Sequence, residues 1–139
     1  MTEPDRGDRL LSTAARLSRW ATRRADLELP PAQARLLALV LEIGPARIGD
    51  LAQADHCSQP TMTIQVQRVE AYGLVVRKPD PSDARASLVE ATDEGRQVIA
   101  RLREARSKAL APMMDRLSPD DERVLDEAIA IMQRMIDDP

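Results

Sequence analysis

Residues 58–91 read SQPTMTIQVQRVEAYGLVVRKPDPSDARASLVEA. Ser58 stands before an amphipathic run, where its hydroxyl suits the backbone N–H groups of a first helical turn. The run ends at Gly73, a helix stop. Leu74 to Lys78 is a short β-like run, Pro79 to Arg85 a polar turn, and Ala86 to Ala91 a second β-like run. Helix plus two-stranded ribbon is the layout of a winged helix-turn-helix. Its helix enters a DNA major groove, and the ribbon tip reaches the backbone or minor groove.

The sequence before this stretch fits that layout. Leu10, Ala14, Leu17 and Ala21 form a helical stripe within residues 8–26. Leu29-Pro30-Pro31 breaks it, and Pro31 suits the first position of a second helix. That helix is apolar nearly all round, as a central buried helix is, and it ends at Gly44-Pro45. Residues 46–54 make a short third helix with Ile48, Leu51 and Ala52 inward. Asp55-His56-Cys57 is a tight turn leading to the fourth.

The sequence after it is helical again. Thr92 is an N-cap for a helix over roughly 92–116, with the stripe Val98, Leu102, Ala105, Ala109 and Met113. Ser118, Pro119 and Asp121 start a last helix through a capping box. That helix carries two apolar stripes: Val124, Ala128, Ile131, Met135, and Leu125, Ile129, Met132, Ile136. So broad an apolar face is hard to bury in a chain of 139 residues, and with the first helix it reads as a homodimer interface. The alternative is an ordinary intramolecular core helix. The fold class is therefore mainly α with a small β-wing. Residues 31–91 form a winged helix-turn-helix lobe, and 1–30 and 92–139 are dimerisation helices of the same compact subunit.

Composition narrows the function. No apolar run reaches the length of a membrane span. The charged start, MTEPDRGDR, has no signal core, so a cytoplasmic protein is expected. A single cysteine, Cys57, excludes an internal disulfide, and one His with one Cys makes a poor zinc site. Neither a Gly-rich phosphate loop nor a catalytic triad is present, so no cofactor and no enzyme activity are expected. Net charge is −3, which runs against the basic footprint of nucleic-acid binders. The acid sits at the far end, where residues 115–139 sum to −5, while residues 46–90 sum to −1.

At about 100° per residue, Met62, Val66 and Val69 share the core side of the fourth helix. Pro60, Thr63, Ile64, Gln67 and Arg68 fall opposite, and Gln59 and Thr61 lie in the first turn. Gln pairs with adenine, and Thr or Ile can touch a thymine methyl. Gln59, Pro60, Thr63, Ile64 and Gln67 are the candidate base readers. Ser58, Thr61 and Arg68 are candidate phosphate contacts. The bland alternative is a solvated face. At the wing, the Arg85 guanidinium suits a narrow minor groove, with Asp83 fixing its direction and Asp80 bracing the turn. Arg77 and Lys78 are candidate phosphate contacts at the wing's base. Arg16 and Trp20, one helical turn apart, form a candidate site for an aromatic carboxylate or phenol. Plain packing of Trp20 is the alternative. His56 and Cys57 read as a turn histidine and a buried thiol.

These motifs together resemble the MarR family of bacterial transcriptional regulators over nearly the whole chain. VEAYGLVVR (69–77) is similar to that family's L-E-x-x-G-L-V-x-R, and Asp83-Ala84-Arg85 matches its wing D-x-R. ATDEGR (91–96) and LSPDDE (117–122) are similar to its L-T-x-x-G-R and L-S-x-E-E. The resemblance implies a homodimer bound to a palindromic double-stranded operator, usually as a repressor. It implies release by small, often anionic aromatic ligands. Thr63-Ile64 departs from the family's frequent Thr-Arg, so a common DNA-contacting arginine is absent. No cysteine stands near the N-terminus, where the peroxide-sensing subgroup has its reactive thiol. The rival readings are a small enzyme, a helical interaction module that has lost DNA binding, and an activator of the same fold.

Overall fold

The computed structural model describes residues 5–26 and 28–139 of the chain; the first four residues of the charged start lie outside them. The elements are α1 (Arg6–Arg24), α2 (Pro31–Ile43), α3 (Ile48–Ala54), α4 (Gln59–Ala71), β1 (Val75–Asp80), β2 (Asp83–Ala91), α5 (Asp93–Met114) and α6 (Pro119–Asp137). The fold is mainly α with a two-stranded wing, as expected.

Local chemistry sets most helix starts. Asp5 accepts the Asp8 N–H at 2.8 Å to open α1. Pro31 occupies the first turn of α2. Ser58 accepts the Thr61 N–H at 3.2 Å, and Thr92 accepts the Gly95 N–H at 3.1 Å. Ser118 and Asp121 form the reciprocal box at the start of α6, at 3.1 and 3.2 Å. Such caps contribute about 1 kcal/mol each. In α3 the N-cap residue is Arg47, and its side chain makes no cap hydrogen bond.

The core lies beneath α4. Leu37 of α2, Leu51 of α3, Met62, Val66 and Val69 of α4, Val89 of β2 and Ile99 of α5 are fully buried. Each such side chain contributes about 1.5–3 kcal/mol over an exposed one. Leu29 and Val98 join the same cluster, so the core draws on the α1–α2 connection and the first turns of α5. Two glycines make this packing possible. Gly73, at φ +73°, turns the chain out of α4 into the ribbon. At Gly95, a Cβ would collide with the Leu74 carbonyl, so α5 packs closer to the ribbon than any larger residue allows.

The ribbon is longer, and its turn tighter, than the sequence suggested. β1 and β2 pair antiparallel from Val75↔Ala91 to Pro79↔Ser87, with an irregularity before Asp80↔Asp83. The expected turn Pro79–Arg85 shrinks to Pro81 and Ser82, and Pro79, Asp80, Asp83, Ala84 and Arg85 are strand residues. Asp and Pro read as turn formers, but cross-strand pairing carries them into the ladder. Ala46 adds a bridge to the ribbon, donating to the Val89 carbonyl at 3.1 Å and accepting the Val89 N–H at 2.8 Å.

Outside this lobe, α1 packs along α5 and buries only Ala21. The Arg106 Nη2 donates to the Ser18 Oγ at 2.7 Å across that pair. Arg101 of α5 holds Glu28 of the α1–α2 connection through two hydrogen bonds, at 2.9 and 3.0 Å. The helix α6 buries no residue.

Candidate nucleic-acid interface

The turn between α3 and α4 is closed by backbone. His56 adopts φ +53°, and the Cys57 N–H donates to the Ala52 carbonyl at 3.0 Å. His56 is exposed. Cys57 is half-buried against the core, not buried as expected, because its position at the turn's exit leaves one side open.

This turn aims one face of α4 outward. Met62, Val66 and Val69 face the core as the periodicity required. Ser58, Gln59, Pro60, Thr61, Ile64, Gln67 and Arg68 are exposed, Ile64 at 50%. Thr63 is half-buried, and its hydroxyl donates to the Gln59 carbonyl at 2.9 Å. The Ser58 hydroxyl donates to the Thr61 Oγ1 at 2.9 Å. The Ser58 and Thr63 hydroxyl protons are thus engaged within the helix, while the Thr61 hydroxyl accepts from Ser58 and keeps its own proton free. The free recognition chemistry is that Thr61 hydroxyl, the Gln59 and Gln67 amides, the apolar Pro60 and Ile64, and the Arg68 cation. Arg68 makes no ion pair among the described residues.

The wing presents Arg85 outward, its side chain 94% exposed. Asp83 Oδ1 accepts the Arg85 backbone N–H at 3.0 Å and lies 3.6 Å from its guanidinium Nε. It therefore fixes the backbone more firmly than the side chain. Arg77 and Lys78 at the base are already paired, Arg77 with Glu70 at 3.4 Å and Lys78 with Glu90 at 2.8 Å. The Lys78 ammonium holds the Glu90 carboxyl below its ordinary range.

Asp80 braces the tip, and does so with partners the sequence reading missed. Its Oδ1 accepts the Ser82 N–H at 2.9 Å and the Ser82 hydroxyl at 2.7 Å; its Oδ2 accepts Arg47 Nε at 2.7 Å. The Ser82 hydrogen bonds, then Arg47, keep the Asp80 carboxyl below the usual range. One signal for Arg47 was available. An arginine stands at a helix start where Ser, Thr, Asp or Asn is favoured.

Arg16 and Trp20 line one open cleft of about 480 Å³ with Arg19, Arg23, Leu17, Thr13 and Met113. The guanidinium over the indole is not that of Arg16, however. Arg24 sits 4.4 Å from the ring centroid, since the next turn offers an arginine as well as the preceding one. A neighbouring cleft between α1, α2 and α5 shares Arg19 and Arg23 and adds Arg35 and Arg106. No cluster of His, Cys, Asp and Glu among the described residues could hold a metal ion. None of the described helices is long and apolar enough to cross a membrane.

Comparison with known proteins follows the same lines. Residues 29–87 match the sequence pattern of the MarR family. The chain is 32% identical over 100 residues to YxaD of Bacillus subtilis, an uncharacterised HTH-type transcriptional regulator, spanning 72% of this chain and 68% of that one. The transcriptional regulator Tm0710 from Thermotoga maritima superposes with a TM-score of 0.74 at 28% identity, over 94% of this chain and 95% of that one. A mutant of S. aureus MepR bound to an oligodeoxyribonucleotide shares the fold, with a TM-score of 0.65 at 15% identity over 96% of this chain and 99% of that one.

Proposed function

Because this chain belongs to the MarR family of transcriptional regulators, we propose that it acts as a homodimeric repressor of a palindromic operator, released by a small anionic aromatic ligand. The observation that carries the reading is the pairing, in one lobe, of an exposed α4 face with a ribbon that ends in Arg85 at 94% exposure. Gln59, Pro60, Thr63, Ile64 and Gln67 read bases in the major groove. Ser58, Thr61 and Arg68 contact phosphate, and Arg85 enters the minor groove. Arg77 and Lys78 reach phosphate after exchanging their glutamate partners, and Asp83 orients the strand that bears Arg85. Residues 31–91 are the DNA-binding lobe; 1–30 and 92–139 supply the dimer, with the first turns of α5 shared.

The mechanism is geometric. Two recognition helices must sit about 34 Å apart to read half-sites one DNA turn apart. The guanidiniums of Arg16, Arg19 and Arg23 beside Trp20 attract a carboxylate attached to an aromatic ring. A ligand there weakens operator binding by its preference for another spacing of the lobes.

The test is a gel shift on the DNA upstream of the protein's own gene, with excess competitor, repeated with salicylate. A competitor-resistant shift that salicylate abolishes is the expected result. One observation favours a second reading, an interaction module without DNA affinity: five of the lobe's six arginines and lysines, Arg35, Arg47, Arg77, Lys78 and, more loosely at 3.6 Å, Arg85, stand in ion pairs. Absence of any shift, even at low salt and after selection from random duplexes, would overturn the repressor reading and favour that alternative.

A further inference from the structure

Arg47 is an unusual residue for the start of a helix. At the N-cap of α3 it supplies no capping hydrogen bond, and its side chain instead crosses to the wing. There it meets Asp80, one of two polar residues buried among the described residues, at 7% exposure. A carboxylate so placed is costly unless its oxygens are satisfied. They are: Ser82 donates twice to Oδ1, and Arg47 Nε donates to Oδ2. Arg47 Nη2 also lies 3.5 Å from the Ser82 Oγ. These three side chains join the tip of the ribbon to a helix anchored in the core by Leu51 and Ala52.

An isolated two-stranded ribbon is marginal in water. This one is tied at two heights, by the Ala46–Val89 bridge near its base and by Arg47–Asp80 near the tip. Arg85 follows two residues after Asp83, the cross-strand partner of Asp80. Arg85 lies in the irregular stretch between the Asp80↔Asp83 and Pro79↔Ser87 pairs and has no cross-strand partner of its own. Its path is set by those flanking pairs and by the Asp83 carboxylate that accepts its N–H at 3.0 Å, so holding Asp80 holds one end of that stretch.

We propose that Arg47, Asp80 and Ser82 form a clamp that presets the wing before DNA is met, making Arg47 and Asp80 positioning residues for the Arg85 contact. The clamp rests on the wing reading given above. Its benefit is preorganisation: a ribbon ordered in advance loses less freedom on binding. None of the three need touch DNA for this.

The experiment measures operator affinity for Arg85→Ala in three backgrounds: wild type, Asp80→Asn and Arg47→Ala. Thermal melting establishes that each protein is folded. The half-exposed Arg47 keeps the test available should Asp80→Asn fail to fold. In the wild-type background Arg85→Ala weakens binding between about 5- and 150-fold. With the clamp broken, Arg85 is no longer held in place, and its removal costs little further. A clamp that serves only folding would leave the two losses independent, equal in all backgrounds within about twofold. That equality would overturn the clamp. No loss on Arg85→Ala in the wild-type background would instead overturn the wing reading itself.

Discussion

At the scale of single residues, Asp80 and Glu90 show two uses of a carboxylate beside a cation. Asp80 has its ordinary titration lowered, first by the Ser82 N–H and hydroxyl and then by Arg47. A group whose folded value is depressed stabilises the fold above its unfolded value, near pH 3.9, and loses that contribution as pH falls through the folded value. The stability gap between wild type and Asp80→Asn is therefore expected to narrow as pH drops from about 5 towards 3. Glu28 and Glu90, also lowered, are present in both proteins and cancel in the difference. Urea midpoints across that range decide it; a gap independent of pH would mean that the Asp80 charge does not stabilise the fold. Glu90 has the opposite effect on function. It holds Lys78 at 2.8 Å on a surface where such a pair adds little stability. Glu90→Gln frees one cation per protomer, so operator binding is expected to tighten and its salt dependence to steepen by about 2 in logarithmic slope for the dimer. Titrations at three salt concentrations measure it, and an unchanged slope would place Lys78 away from phosphate.

At the scale of elements, α4 is held by its cap and its core face. Ser58→Ala removes the acceptor for the Thr61 N–H and is expected to cost about 1 kcal/mol, read from a urea melt. An affinity loss larger than the stability loss explains would support Ser58 as a phosphate contact. Thermal and chemical melts unchanged by the substitution would mean that water replaces the cap. Caps such as this one were legible in the sequence because they act within four residues, as at Ser58, Thr92 and Ser118. The core side of α4 was legible because its period is the helix's own. The wing tip was not. Pro79, Asp80 and Asp83 carry turn chemistry locally, and only their partners across the ribbon recruit them into strands. The Arg47–Asp80 contact spans 33 residues, beyond any local pattern. The Arg24–Trp20 contact was hidden differently, because arginines lie one turn to either side of the indole and only side-chain packing chooses between them.

At the scale of the whole molecule, α6 has no fully buried residue, and its exposed apolar face supports the proposed dimer. In α6, Val124, Ile129, Ile131, Met135 and Ile136 are 41–74% exposed, and among the described residues no other element packs extensively on it. Contiguous apolar surface of this kind marks an association site. A second copy is a fitting occupant on charge as well: α6 is rich in acid, with Asp120, Asp121, Glu122, Asp126 and Glu127, whereas α1 carries Arg9, Arg16, Arg19 and Arg23. Ile129 and Ile131 belong to the two different apolar stripes, so replacing both with Glu spoils either face that the proposed dimer would use. Both are already 41% and 48% exposed in the single chain, and the lobe's core does not include them. The fold of residues 31–91 is therefore expected to survive, while sedimentation shows a monomer. Loss of the dimer turns one bivalent encounter into two separate ones, and operator affinity is expected to fall by roughly 10²–10⁴-fold. Binding of the monomer to a single half-site should retain its dependence on Arg85. A double variant that still sediments as a dimer would move the interface off α6, and an operator affinity that survives in a true monomer would mean that one lobe alone reads the DNA.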